Sequence, residues 1–309
     1  MGRVFVIAEA GVNHNGSLDM ALQLVDRAAE AGADAVKFQT FQASALVSRH
    51  TPKADYQLQT TNQSESQFEM IQKLELSEQN HRLIIEHCRK KGILFLSTPF
   101  DRASAELLIG VFDLPRLKIS SGDLLNAPLL LQVARTRKPM ILSTGMANLE
   151  EVQEALSVVA FGYGEPASAK PHRAAFAEAF KKHQAALQQG VTLLHCTTEY
   201  PAPLDEVNLR AMDTLREKFG LSVGYSDHTQ GINVPIAAVA RGATLIEKHF
   251  TLDRNLPGPD HRASLEPQEL TQMISAIREV ERALGSAVKA PAASEEKNRL
   301  VARRSLVAS

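Results

Sequence analysis

The stretch Thr244–Thr251, TLIEKHFT, places a carboxylate and an imidazole two positions apart in an apolar, partly β-branched run. Bounded by Gly242 and the Asp253–Pro259 turn region, it reads as a β-strand. With a two-residue period, Leu245, Glu247 and His249 share one face and Lys248 points the other way. A carboxylate and an imidazole on a core strand are costly to bury without partners. Upstream, His228 ends a similar strand, LSVGYSDH. Two histidines at the ends of adjacent strands, with carboxylates beside them, are the donor types of a divalent-metal site open to substrate. The same spacing fits a plainer arrangement, with His249 a hydrogen-bonded core histidine and His228 a loop residue.

Polar residues collect at the end of nearly every other predicted strand. The first gives Glu9, Asn13 and His14; the second Lys37 and Gln39; the third Ser97 and Thr98. Lys118, Ser120, Ser121 and Asp123 follow the fourth, and Ser143 and Thr144 the fifth. His195, Thr197, Thr198, Glu199 and Tyr200 follow the sixth, and Ser226, Asp227 and His228 the seventh. Each alone fits a satisfied core polar group; together they call for a site. Two lysines, several hydroxyls and the backbone amides of SSGD and STGM suit a phosphate and a carboxylate. A histidine pair with a carboxylate suits a metal acting as Lewis acid on a carbonyl. The combination implies carbon–carbon bond chemistry or phosphoryl loss on a small anionic substrate. The sixth strand lacks the lysine of a Schiff-base aldolase, and no nucleophile elbow is present.

The elements that must position these residues alternate. Strands at Val4–Gly11, Ala35–Phe41, Ile93–Thr98, Arg116–Ser120, Pro139–Thr144, Val191–Thr197, Leu221–Tyr225 and Thr244–Thr251 are each followed by a helical pattern. Among the helices are Leu18–Ala31 behind the cap Ser17, Glu78–Lys91 stopped by Gly92, Glu206–Phe219 and Pro267–Leu284. Eight strand–helix units predict an α/β fold, a (β/α)8 TIM barrel, whose active site lies at the C-terminal ends of its strands. A doubly wound sheet is the alternative, but the first turn, GVNHNGS, lacks the G-x-G-x-x-G pattern. Two stretches break the rhythm: Gln42–Ser77, long enough for a lid or binding loop, and Pro166–Gln189, a basic, helical insertion.

Composition narrows the classes. At 309 residues, 44% hydrophobic and a formal net charge of −1, the chain gives no reason to expect nucleic acid or an anionic membrane as partner. Two distant cysteines, Cys88 and Cys196, make no disulfide framework, and the apolar start is cut short by Glu9. The expected location is the cytoplasm.

The motifs AEAGVNHNGS, AVKFQTF, FLSTPFD, LKISSGD, ILSTGM, LHCTTEYPAP, GYSDHT, IEKHFT and PGPDH, in this order, resemble the sialic acid synthase family from Val4 to about Leu284. That resemblance implies condensation of phosphoenolpyruvate with an N-acylmannosamine-type sugar to give a nonulosonic acid. It implies His228 and His249 as ligands of Mn2+ or Mg2+, and Glu9 and Glu247 as acidic residues near the reacting carbons. Lys37, Thr98 and Lys118 are implied as carboxylate contacts, and Ser121, Ser143 and Thr198 as phosphate contacts. Gln39, Asp123, Tyr200 and Asp260 are implied as contacts to the sugar. Some relatives carry Asn at the position of Thr198, so one phosphate contact is replaced or lost. Glu199 matches members that act on legionaminic-type sugars. Residues 1–285 are then the catalytic barrel, and 286–309 a linker toward an antifreeze-like domain that this chain lacks. In a swapped homodimer that domain lends an arginine to the partner's sugar site. Competing readings are a class II, metal-dependent aldolase on the same barrel, and a barrel that binds without turnover.

Overall fold

The computed structural model describes residues 2–48 and 65–304. It contains eight parallel strands: β1 (Phe5–Gly11), β2 (Ala35–Thr40), β3 (Leu94–Pro99), β4 (Leu117–Ile119), β5 (Met140–Ser143), β6 (Val191–His195), β7 (Ser222–Asp227) and β8 (Leu245–His249). Among the described residues the ladder runs β3-β2-β1-β8-β7-β6-β5-β4, and its two ends, β3 and β4, pack side by side. With helices between successive strands, the chain is a (β/α)8 barrel.

Period-two patterning divides each strand between two environments. Val6, Ala8, Val36, Phe38, Leu142, Val223 and Ile246 face outward into the main core beneath the helices. Ile7, Ala35, Leu96, Ile141, Leu194 and Leu245 face inward and form a separate apolar plug. Moving up the barrel by two residues from that plug changes the chemistry: Ile7 gives way to Glu9, Ala35 to Lys37, Leu96 to Thr98, Ile141 to Ser143 and Leu245 to Glu247. The plug closes the floor of the barrel, and the polar layer above it opens toward the strand ends.

The helices form where caps and apolar faces coincide. Ser17 Oγ accepts from Met20 N–H to start helix Leu18–Glu30, which buries Ala21, Leu24, Val25 and Ala28. Ser77 caps Glu78–Lys91, and Gly92, at φ 69°, ends it in the left-handed conformation. The expected helix from Glu206 instead begins at Ala211. A 3-10 turn at Leu204–Glu206 and the left-handed Asn208, φ 48°, interrupt the chain there, because a right-handed helix cannot pass through positive φ.

Helices Ala43–Leu46 and Gln67–Gln72 flank the long segment after β2, whose residues 49–64 lie outside the described residues. The insertion after helix Leu149–Gly164 forms helices Arg173–Lys182 and Gln184–Gly190, which pack back onto it. Beyond Gly285 the described chain is exposed, apart from Leu300, whose side chain is not described; it includes a short helix at Glu296–Ala302. Both cysteines are free and buried. Among the described residues no helix is long and apolar enough to cross a membrane.

Gly224 lets β7 approach its neighbours: a Cβ there would lie 2.3 Å from the Leu245 carbonyl oxygen and 2.8 Å from Leu194 Cδ2. The first obstacle is backbone and cannot rotate away. Gly224→Ala is therefore expected to destabilise the barrel by about 1–3 kcal/mol, the range for overpacking a filled core. Urea unfolding should show it as a lower midpoint with unchanged slope.

Candidate active site

A cavity of about 420 Å³ opens at the C-terminal mouth of the barrel. Glu9, Lys37, Gln39, Thr98, Lys118, Ser121, Asp123, Ser143, Thr198, Tyr200, His228, Glu247 and His249 all line it. Asp260 stands apart, in an adjoining recess of about 220 Å³ that shares Gln39, Tyr200 and His249 with the main cavity.

On the floor, four charged side chains are buried together. Lys37 Nζ lies 2.7 Å from Glu9 Oε2, 3.7 Å from Glu247 Oε2, and donates to Thr98 Oγ1 at 2.9 Å. Lys118 Nζ lies 3.2 Å from Glu247 Oε1, which also accepts from Ser226 Oγ at 2.9 Å. The two carboxylates are thereby made unequal. Burial pushes the Glu9 carboxyl up to about 7, with Glu247 adding to the rise and Lys37 opposing it. Burial acts on Glu247 in the same direction, but Lys118 and Lys37 together overcome it and hold that carboxyl down at about 2. Burial also works against the Lys37 charge, yet Glu247 and Glu9 keep its ammonium above the usual lysine range.

One wall is built from hydroxyls and a loop. Gly145 N–H donates to Ser121 Oγ at 3.0 Å, and Cys196 Sγ lies 3.2 Å from the same oxygen. A Cβ at position 145 would sit 2.3 Å from Thr198 Oγ1 and 2.8 Å from Ser121 Oγ, so glycine leaves this corner open between two converging hydroxyls. Asp123 is fixed beside it: Ser120 Oγ donates to its Oδ2 at 2.9 Å and Asn126 Nδ2 to its Oδ1 at 3.1 Å.

The opposite wall carries the imidazoles. The rings of His228 and His249 have centroids 5.6 Å apart, and the Tyr200 ring packs 4.3 Å from His228 and 5.8 Å from His249. His228 Nδ1–H donates to the Thr197 carbonyl at 2.6 Å, which leaves Nε2 with its lone pair. His249 Nδ1 is buried without a hydrogen-bond partner and lies 3.9 Å from Asp260 Oδ2. Burial holds both imidazoles below their ordinary range, that of His249 well below, with His228 and Lys37 adding to the effect. Neutral imidazoles have free nitrogen lone pairs, which a divalent cation needs. Among the described residues no group of three or more His, Cys, Asp and Glu side chains comes together as a metal cage. Of the described residues, His228 and His249 are the ones whose ring nitrogens would hold a cation at this wall. Burial also raises the Asp260 carboxyl to about 6.

Several strand-end polar residues do structural work instead. Asn13 Nδ2 donates to Phe250 O and Ser264 Oγ, His14 Nδ1 accepts from Gly16 N–H, and His195 Nε2–H donates to Val207 O. Thr144 and Thr197 donate to the Leu194 and Glu206 carbonyls. Conversely, Ser226 becomes a site residue through Glu247, a contact the alternation of GYSDH already allowed. Leu46, Phe100 and Met146 give the cavity apolar edges that motif chemistry does not reveal.

Comparison with known proteins gives the family of the chain. A match to the NeuB family spans residues 24–289. The chain is 50% identical over 308 residues to N,N'-diacetyllegionaminic acid synthase of Campylobacter jejuni, covering 100% of this chain and 85% of that protein. It is 47% identical over 302 residues to the protein of the same name from Legionella pneumophila, covering 98% and 79%. The crystal structure of N-acetylneuraminic acid (sialic acid) synthetase from Leptospira borgpetersenii, in complex with citrate, matches with a TM-score of 0.76 at 34% identity, covering 98% of this chain and 94% of that one. These relatives are acid synthases that share the whole barrel, and this chain is an enzyme of the same kind. It belongs to the NeuB family, the sialic acid synthases.

Proposed function

We propose that the enzyme condenses phosphoenolpyruvate with the open-chain form of an N-acylated amino sugar, releasing phosphate by C–O cleavage. The observation that carries this reading is the cavity floor, where two lysines pair with two carboxylates of opposed proton affinity. Lys37 and Lys118, with Thr98, provide a cationic seat for the substrate carboxylate. Ser121, Ser143, Thr198 and the open corner at Gly145 provide donors for the phosphate. Gln39, Asp123 and Tyr200 line the remaining space as sugar contacts, with Asp260 reaching it from the adjoining recess.

His228 and His249 are the residues that would hold a divalent cation, Mn2+ or Mg2+. The chemistry such a cation supplies when bound is polarisation of a carbonyl oxygen. The reaction joins C3 of the enol to the sugar aldehyde carbon, and the aldehyde oxygen takes up a proton. Water then adds at C2 and gives up one proton, and the C2–O bond to phosphate breaks as the remaining hydroxyl proton passes to the departing phosphate, leaving a keto acid. Glu9 is the group we assign to the water's proton, since a carboxyl near 7 gives and takes protons at neutral pH. Glu247, held ionised between Lys37 and Lys118, keeps both lysines in place and stays a carboxylate throughout. Similarity to two N,N'-diacetyllegionaminic acid synthases supports a diacetamido-trideoxy sugar rather than N-acetylmannosamine as the substrate of this enzyme. Use of phosphoenolpyruvate, together with two free buried thiols, supports a cytoplasmic location.

Phosphate release should require phosphoenolpyruvate, one sugar and Mn2+ together, and should fall at least about 100-fold in His249→Ala. Condensation of pyruvate with no phosphate released would instead identify a class II aldolase. In Glu9→Gln the rate is expected to fall about 10²–10⁴-fold, the usual worth of a positioned acid–base group. Acting as base, Glu9 works ionised, so kcat/KM should rise with pH through about 7. That limb should vanish in Glu9→Gln; a profile that keeps it would transfer the role to another group.

A further inference from the structure

Behind the two histidines lies a second charged pair that takes no part in the chemistry above. Strands β7 and β8 are in register as Ser226↔Glu247 and Asp227↔Lys248. Alternation turns Ser226, His228, Glu247 and His249 into the cavity, and Asp227 and Lys248 away from it. Those two turn outward, into the layer beneath the helices where a barrel strand normally presents apolar side chains, and Glu269 and Arg254 are the other charged groups that act on Lys248. Both side chains have 0% exposure.

Their contacts form a clip. Lys248 Nζ lies 2.6 Å from Asp227 Oδ2 and also donates to the Thr229 carbonyl oxygen. Thr229 N–H donates to Asp227 Oδ1 at 3.0 Å, and Thr229 Oγ1 to Asp227 Oδ2 at 3.1 Å. Asp227 and Thr229 flank His228 in the chain, and Lys248 precedes His249. The clip therefore ties both sides of one histidine to the backbone position next to the other. A buried ion pair is poor value as a stabiliser, because desolvation consumes most of its attraction, and its best-attested use is to fix register. Apolar side chains in this layer would hold the helices as well; they would not specify where β7 ends relative to β8.

We propose that Asp227 and Lys248 are positioning residues that set the spacing of the His228 and His249 imidazoles, and so determine how tightly the pair holds a divalent cation. This rests on the metal reading of the histidines given above. Supporting groups behind metal ligands typically alter affinity by about 10–100-fold when removed.

Lys248→Met separates positioning from simple electrostatics, because the two predict opposite signs. Removing a positive charge near a cation site should tighten binding if only charge matters. Loss of the clip should weaken it. Mn2+ titrations of the full chain, followed by the EPR signal of the free ion, are expected to give a dissociation constant at least about 10-fold higher in Lys248→Met. Should that variant not fold with Asp227 left unpaired, the double substitution Asp227→Asn with Lys248→Met serves. It removes both charges, so the net charge is unchanged, and it keeps an acceptor for Thr229 N–H. It too should bind Mn2+ at least about 10-fold more weakly, while circular dichroism reports an intact barrel. Mn2+ binding equal to or tighter than wild type in a folded variant would overturn the positioning role and leave the metal site standing. Wild-type protein that takes up no Mn2+ would overturn the metal reading itself, and this inference with it.

Discussion

Four buried charges in the throat of the barrel set the terms for the rest of the molecule. Glu9, Lys37, Lys118 and Glu247 come from four different strands, and none of them could be tolerated alone in a low-dielectric interior. Their mutual attraction is effective only if β1, β2, β4 and β8 hold their ends in fixed relation. The apolar plug of Ile7, Ala35, Leu96, Ile141, Leu194 and Leu245 directly below does that for β1, β2 and β8 by filling the barrel to its axis, and β4 is tied to it through β5, where Lys118 pairs in register with Ile141 of the plug. The plug and the charged layer are therefore one design: the lower residues fix the strands, and the upper residues use the geometry so fixed.

The same arrangement makes two identical functional groups different. Glu247 sits between two ammonium groups and accepts a hydroxyl hydrogen bond, while Glu9 has one ammonium and a carboxylate neighbour. Burial alone would raise both. What separates them is the unequal sharing of lysines, and that separation lets one carboxyl exchange protons near neutrality while the other remains an anion. The imidazole wall follows a parallel logic. Its two rings are kept neutral by burial and are steered by neighbours, Thr197 for His228 and, at longer range, Asp260 beside His249. The site thus presents fixed cations low in the cavity and neutral nitrogen donors across from them, an arrangement suited to an anionic substrate meeting a carbonyl.

The strand ends also show how a barrel uses both faces of one element. On the cavity side Ser226 supports Glu247; on the reverse, Asp227 grips Lys248 and Thr229. The residues that face the cavity are those the proposed condensation would use. The reverse face is a matter of mechanics, and its charged pair stands where apolar packing would serve stability alone.

Much of this was legible in the chain. Alternation of apolar and polar residues has the same period as the strand pleat, so GYSDH and IEKH already stated which side chains share a face. Repetition of strand and helix stated the barrel, and the barrel stated which strand ends converge. Local sequence could not say which polar residues beyond those ends turn inward once the strand has stopped: Asn13 and His14 bond to backbone and loop, and Asp260 stands in a side recess. Nor could it say that Glu9 and Glu247 titrate apart, or that Lys248 finds Asp227, or that Asn208 breaks the helix expected from Glu206. The sequence by itself determined the fold and which strand residues share the inner face at the mouth, because periodicity is a property of neighbours along the chain. Tertiary structure alone decided ionisation and pairing, because electrostatic energy depends on distances between residues hundreds of positions apart and on the water that the barrel excludes.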